Sequence, residues 1–401
     1  MHFSTAILAL LPLALAAPAP VTEELLQTRA EPAPVILPRE GKLIPGKYIV
    51  KLKDGASDAT IDAIIAKVAG SPSHVYKGKF KGFASKIDAA TLAKIQALND
   101  VEFIEQEAIF TTNTYVSQTG APWGLGRISH HAKGSTTYVY DNSAGVGTCS
   151  YVIDTGILVT HTQFGSPSRA TWLANYADSS NTDGNGHGTH VAGTIGGSTY
   201  GVAKLTKLYA VKVLDSSGSG TTSGVVAGIN FVASDAQTRN CPNGTVANMS
   251  LGGSFSTSIN SAASALISSG VFLAVAAGNS NANAANYSPA SVATACTVGA
   301  TDINDAKASF SNYGAGVDIW APGVNILSSW IGSNSATNTI SGTSMASPHI
   351  AGLGAYLLTL FGPKSPTALC TYIQSIATNG VITGLPTGNI NKLAFNNNPT
   401  G

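Results

Sequence analysis

Two hydrophobic rhythms run along the chain, and they change near Asn113. In the first part, Lys47-Tyr48-Ile49-Val50-Lys51-Leu52 alternates like a strand, and Ala59–Ala69 carries apolar residues at helical spacing. Phe80–Ile87 reads as a second strand, Ala89–Leu98 as a second helix and Val101–Ile109 as a last strand. That order predicts a small sheet with helices on one face. From Ala121 onward, short wholly apolar runs alternate with Gly/Ala-rich helical stretches. Cys149–Ile153, Leu208–Val213, Val246–Leu251 and Val271–Ala276 read as strands buried on both faces. That is the pattern of a parallel α/β sheet, whose sites lie beyond the carboxyl ends of its strands.

Two stretches precede this organisation. Ala6–Ala17 is an apolar run of 12 residues, too short to cross a bilayer, and Ala14-Leu15-Ala16 forms an A-x-A cleavage site. Residues 1–16 therefore read as a signal peptide and place the protein outside the cell. Ala17–Pro45 holds Pro18, Pro20, Pro32, Pro34, Pro38 and Pro45 and reads as an extended, poorly ordered connector. No other stretch approaches 18 apolar residues free of polar breaks, so no membrane anchor is expected.

Charge sharpens the division. Residues 1–113 hold 12 Lys/Arg and 12 Asp/Glu, whereas residues 114–401 hold 10 and 9, without a single Glu. A net charge of +1 gives no reason to expect a nucleic-acid partner. All four cysteines (Cys149, Cys241, Cys296, Cys370) lie in the second part. An even count in an exported chain favours two disulfides, with three pairings open. No C-x-x-C pair supports a zinc site.

Three motifs stand where an α/β sheet places its chemistry. Tyr151-Val152-Ile153-Asp154-Thr155-Gly156 ends a buried strand in an acid. Asp183-Gly184-Asn185-Gly186-His187-Gly188-Thr189-His190 is a glycine-rich turn entering a helix. Ser341-Gly342-Thr343-Ser344-Met345-Ala346-Ser347-Pro348 enters a small-residue helix. A serine hydroxyl becomes a nucleophile when an imidazole takes its proton and a buried carboxylate fixes the imidazole's tautomer. A serine near a helix N-terminus also lies beside unpaired backbone N–H groups. Singly, each residue has an ordinary reading: Asp154 a strand-end cap, His187 a turn residue, Ser344 a helix N-cap.

Together they are specific. The order Asp…His…Ser is that of the subtilisin triad. The three stretches resemble the signatures of the subtilase family, in its proteinase K branch. The similarity runs through nearly all of Ala121–Pro399, including Ala121-Pro122-Trp123-Gly124-Leu125 and Ser309-Phe310-Ser311-Asn312-Tyr313-Gly314. It implies a subtilisin-like α/β parallel sheet flanked by helices, preceded by a small α+β ferredoxin-like propeptide domain. The implied activity is that of a secreted serine endopeptidase made as a zymogen, a monomer acting on proteins and peptides. The implied division is a propeptide over 17–113, with its inhibitory domain at 46–113, and a peptidase domain over 114–401. Phe110-Thr111-Thr112-Asn113 would occupy the substrate strand, with cleavage before Thr114.

The same resemblance assigns roles. Asp154, His187 and Ser344 form the triad, with His190 structural. The side chain of Asn279 and the N–H of Ser344 make the oxyanion hole. Ser250, Leu251, Gly252 and Ala276, Ala277, Gly278 wall the pocket for the residue before the scissile bond, while Gly218, Ser219 and Gly220 pair with the substrate backbone. No wall carries Asp or Glu, so basic side chains are not preferred. Thr222 replaces an aromatic frequent at the fourth-residue pocket. The implied disulfides are Cys149–Cys241 and Cys296–Cys370. The implied structural Ca²⁺ site uses the carbonyls of Ala293 and Ala295 and the carboxylate of Asp318; Val381 leaves a second site without its acid. Val191 stands where relatives often carry a free cysteine. An α/β-hydrolase esterase is a poorer match, because Gly342-Thr343-Ser344-Met345-Ala346 ends in Ala and the triad order differs. A catalytically dead homologue would lack a triad or oxyanion residue, and none is missing.

Overall fold

The computed structural model describes residues 26–37, 42–67, 71–109 and 114–401. The expected signal peptide and Phe110–Asn113 lie outside them. The described residues divide into two units, one reaching Ile109 and the other running from Thr114, with Lys42 grouped with the second.

In the first unit, the sheet order is Val35–Ile36, Val101–Ile109, Lys42–Leu52, Lys81–Lys86, His74–Lys77. Helix Asp58–Ile65 follows the strand Lys42–Leu52, and helix Ala89–Gln96 follows Lys81–Lys86. Leaving aside Val35–Ile36, this is a β-α-β-β-α-β unit of ferredoxin-like order. Each helix starts on a side-chain cap: Ser57 Oγ accepts from Thr60 N at 3.1 Å, and Asp88 Oδ1 from Thr91 N at 2.7 Å. Val50, Leu52, Ile61, Ile64, Phe83, Ile95, Val101 and Ile104 form one core.

Two features differ from the sequence reading. His74–Lys77 is a further strand; its side chains are mostly exposed, so no buried alternation marked it. The proline-rich connector is also partly built into the unit. Val35–Ile36 pairs with Ile104–Glu105, Ala33 is fully buried, and its N–H donates to Gln96 O at 2.8 Å. Proline lacks an N–H but can flank an edge strand, so Pro34 does not prevent this pairing.

The second unit carries seven parallel strands in the order Ile319–Pro322, Cys296–Thr301, Phe272–Ala276, Gly244–Met249, Thr148–Asp154, Lys207–Lys212, Ala170–Asn175. Lys392–Leu393 adds to the Ile319–Pro322 edge, and Thr378–Asn379 pairs with it in turn. All seven residues of Thr148–Asp154 are buried. Val152 packs into the core that holds helices His187–Gly196 and Thr343–Phe361. Cys149, Tyr151 and Ile153 pack into the core that holds Thr222–Asp235 and Thr257–Ser268. Two apolar faces on each central strand explain why these strands read as continuous apolar runs. Cys149–Cys241 and Cys296–Cys370 are bonded, the pairing the resemblance implied.

Candidate active site

The residues singled out by the motifs meet at the carboxyl edge of this sheet. Asp154 is the last residue of its strand, His187 the first of its helix, and Ser344 the second of another. Asp154 is fully buried; its Oδ1 accepts from His187 Nδ1 at 2.8 Å and from Thr155 N at 2.7 Å. With Nδ1–H committed to the carboxylate, Nε2 is left as the basic nitrogen. Burial, the largest effect, pulls the His187 pKa down. The charge and hydrogen bond of Asp154, with the charge of Asp183, outweigh it and carry the imidazole above its ordinary value. About a quarter of this side chain, 23%, is open to solvent.

Asp183 holds the loops around that pair. Its Oδ1 accepts from Thr155 Oγ1 (2.8 Å), Asn185 N (3.1 Å) and Gly186 N (2.8 Å). Its Oδ2 accepts from Thr189 N (2.9 Å) and Thr189 Oγ1 (2.6 Å). One buried carboxylate thus ties the residue after Asp154 to the start of the His187 helix. From the other side, buried Lys212 donates to the Thr155 carbonyl at 3.0 Å. Motif reading had grouped Asp183 with the glycine-rich turn without giving it this work. His190 Nε2 bonds the Ile326 carbonyl at 2.9 Å, and burial holds its pKa down at about 4, as suits a structural residue.

Ser344 owes its setting to Pro348. Four residues after Ser344 within the helix, Pro348 has no N–H to give to the Ser344 carbonyl. That carbonyl accepts from Ser250 Oγ at 2.7 Å instead, while Ser344 Oγ donates to the Ser250 carbonyl at 3.1 Å. Among the described residues, Ser344 Oγ makes no hydrogen bond to His187. Asn248 supports the exchange, donating to Ser250 Oγ at 2.9 Å and accepting from Ser347 Oγ at 2.7 Å.

Asn279 turns its oxygen inward. Oδ1 accepts from Thr343 N and Thr343 Oγ1, both at 2.8 Å, which fixes the amide and leaves Nδ2 free to donate. A Cβ on Gly342 would lie 3.5 Å from Asn279 Nδ2 and 3.5 Å from Ser344 N. Two uncommitted donors therefore converge on one space beside the serine.

His187 and Ser344 line a cleft of about 850 Å³ together with Gly218, Ser219, Gly220, Ser250, Leu251 and Gly252. None of its lining residues is Asp, Glu, Lys or Arg. Ala276, Ala277 and Gly278 are not part of this lining. Ala276 and Ala277 are buried, and Gly278 N donates to Thr343 Oγ1 at 3.1 Å. Leu214, Val225, Phe255 and Ile259 also face the cleft. The sequence offered no signal for them, because their spacing matches no single element. Gly220 is required by close approach, since a Cβ there would lie 2.2 Å from the Val213 carbonyl oxygen.

The three expected calcium ligands offer hard oxygen donors. Asp318 accepts from Thr297 N at 2.9 Å and Gln374 Nε2 at 3.4 Å, and no basic side chain pairs with it among the described residues. Burial, the dominant effect, pushes its pKa up to about 6 against those hydrogen bonds. A half-buried carboxylate without a counter-charge fits a divalent hard cation. Among the described residues no cluster of three or more His, Cys, Asp or Glu side chains forms a separate metal site.

Comparison with known proteins agrees with this geometry. Residues 147–391 match the Subtilase family, and residues 47–113 match the Peptidase inhibitor I9 family. The chain is 60% identical to a subtilisin-like serine protease of Sarocladium strictum, covering 98% of this chain and 99% of the relative. It is 54% identical to a cuticle-degrading protease of Metarhizium anisopliae over 99% and 100% of the two chains. Proteinase R of Parengyodontium album is 53% identical over 98% of each. A solved cold-adapted subtilisin-like serine proteinase superposes with a TM-score of 0.65 at 45% identity, covering 69% of this chain and 99% of its own. The chain belongs to the subtilase family of serine proteases, in its proteinase K branch, and carries an I9-type inhibitory propeptide.

Proposed function

We propose that the protein is exported through residues 1–16, cleaves itself between Asn113 and Thr114, and then acts as a monomeric extracellular endopeptidase with an Asp154–His187–Ser344 triad. Asp154 keeps the proton on His187 Nδ1. The Ser344 hydroxyl leaves the Ser250 carbonyl and gives its proton to Nε2 as Oγ attacks the peptide carbonyl carbon. The oxygen of the tetrahedral intermediate takes hydrogen bonds from Ser344 N and Asn279 Nδ2. His187 then protonates the departing amine, and water, deprotonated by the same Nε2, releases the acyl group. The observation that carries this reading is the convergence of two free donors on the space beside Ser344, which lines the same cleft as His187, itself bonded to buried Asp154.

The uncharged lining supports broad, non-basic specificity, with Gly218–Gly220 and Ser250–Gly252 flanking an extended peptide. Likeness to a cuticle-degrading protease supports structural host proteins or nutrient protein as substrates. Ca²⁺ held by the carbonyls of Ala293 and Ala295 and by Asp318 would supply counter-charge to a half-buried carboxylate, a structural role outside the triad. Export is consistent with the described residues, in which no helix is long and apolar enough to cross a membrane. Replacing Ser344 with Ala should abolish hydrolysis of a chromogenic tetrapeptide while leaving the circular dichroism of the protein unchanged. Turnover by Ser344→Ala at a rate near that of the parent enzyme overturns the assignment.

A further inference from the structure

Three Asn-X-Ser/Thr sequons occur, at Asn243, Asn248 and Asn286, and the fold treats their amides differently. Asn248 is fully buried, and both ends of its amide are bonded, to Ser250 Oγ and Ser347 Oγ. A sugar on Nδ2 would have to sit inside the core. Asn243 is buried, and its Nδ2 donates to the Val146 carbonyl at 2.8 Å. Asn286 is exposed, and its side-chain amide has no hydrogen-bond partner among the described residues. Its backbone is held firmly: the N–H donates to Asn283 O at 3.1 Å, and the carbonyl accepts from Phe255 N at 3.1 Å.

That last bond puts Asn286 on the lip of the substrate cleft. Phe255 and Ser288 both line the cleft, and the short strand Tyr287–Ser288 pairs with Gly253–Ser254, which line it too. We propose that Asn286 carries the one N-linked glycan the folded protein retains, and that this glycan stands on the cleft lip beside Phe255. The proposal rests on the export proposed above. In the step itself, Asn286 Nδ2 bonds to C1 of an oligosaccharide held on a lipid diphosphate. The C1–O bond breaks, the lipid diphosphate leaves, and one amide proton passes to a base. The transfer acts on the unfolded chain, so folding selects among the sequons. Sugar at Asn248 cannot be packed where its fully buried amide meets Ser250, whereas sugar at Asn286 displaces nothing. Positioned there, the glycan obstructs a folded protein approaching the cleft and leaves a short peptide free to enter.

The test is the intact mass of the chain secreted by a fungal host, before and after an endoglycosidase that leaves one sugar on the asparagine. The native chain should lose mass, and its residual sugar should map to the peptide holding Asn286. Asn286→Gln and Asn286→Asp should be secreted at the unmodified mass. The ratio of rates on a folded protein and a tetrapeptide should rise on deglycosylation of the native chain and in both variants. Secreted native chain of unmodified mass, or sugar mapped to Asn243 or Asn248, overturns the site; an unchanged rate ratio overturns its place on the lip. A chain with a borrowed signal peptide keeps these outcomes readable if residues 1–16 fail to export it, which is a failure of the export reading alone.

Discussion

Gly342→Ala isolates the oxyanion site from everything around it. Gly342 has φ 164° and ψ 162°, extended backbone that alanine adopts without strain. The added methyl would lie 3.5 Å from Asn279 Nδ2, 3.5 Å from Ser344 N and 3.7 Å from Ser344 Cβ, ordinary contact distances. The resting enzyme should therefore fold as before. An oxygen accepting from both donors must come within about 2.7–3.1 Å of each, into space next to or overlapping that methyl. Loss of one oxyanion donor costs about 10²–10³ in kcat, or about 2.7–4 kcal/mol, a magnitude known from subtilisin, a member of this family. Gly342→Ala should lose at least this much kcat on a chromogenic tetrapeptide, with KM and Tm close to the parent values. The contrast is Asn279→Ala, which also strips Thr343 N and Oγ1 of their shared acceptor. Two buried donors left unpaired cost about 1–3 kcal/mol each, so that variant should lose both kcat and Tm. A Gly342→Ala enzyme with parental kcat would show that the oxyanion forms elsewhere and refute the reasoning.

Other outcomes follow from the same contacts. N-terminal sequencing of secreted protein should find Thr114 or a residue within two of it, and Ser344→Ala precursor should remain uncut. In the proposed mechanism His187 must be neutral to act, and its pKa is raised, so kcat/KM should climb with pH through an apparent value above the ordinary 6.5. Asp183→Asn removes one of the charges that raise it, so that limb should move to lower pH; a limb that stays or moves up contradicts the electrostatic account. Burial raises the Asp318 pKa to about 6, and at the proposed site Ca²⁺ would need this carboxylate ionised. Chelation should therefore lower Tm more at pH 8 than at pH 5, and Asp318→Asn should abolish that difference, with initial peptide rates unchanged at either pH.

The sheet was legible because each central strand buries two faces, and a run such as Cys149–Ile153 has no polar residue to place on either outer surface except Ser150. That serine is buried too, its hydroxyl bonded to Thr206 Oγ1 at 2.8 Å. An edge strand makes no such demand, which is why His74–Lys77 went unread. The site divides in the same way. Glycines and a proline record what the backbone must do locally, so Gly342, Gly220 and Pro348 were visible as motif letters. Their purpose depends on partners far along the chain: Pro348 frees a carbonyl for Ser250, 94 residues before Ser344. Asp183 looked like one polar residue in a turn until folding brought Thr155 to its oxygen. Ala276–Gly278 shows the converse. The resemblance makes it a pocket wall; in the fold a Cβ on Gly278 would lie 2.4 Å from Asn312 Nδ2, and Gly278 N is bonded to Thr343 Oγ1. A small residue states that something comes close, and whether that neighbour is substrate or another loop is decided by the sheet that gathers the loops.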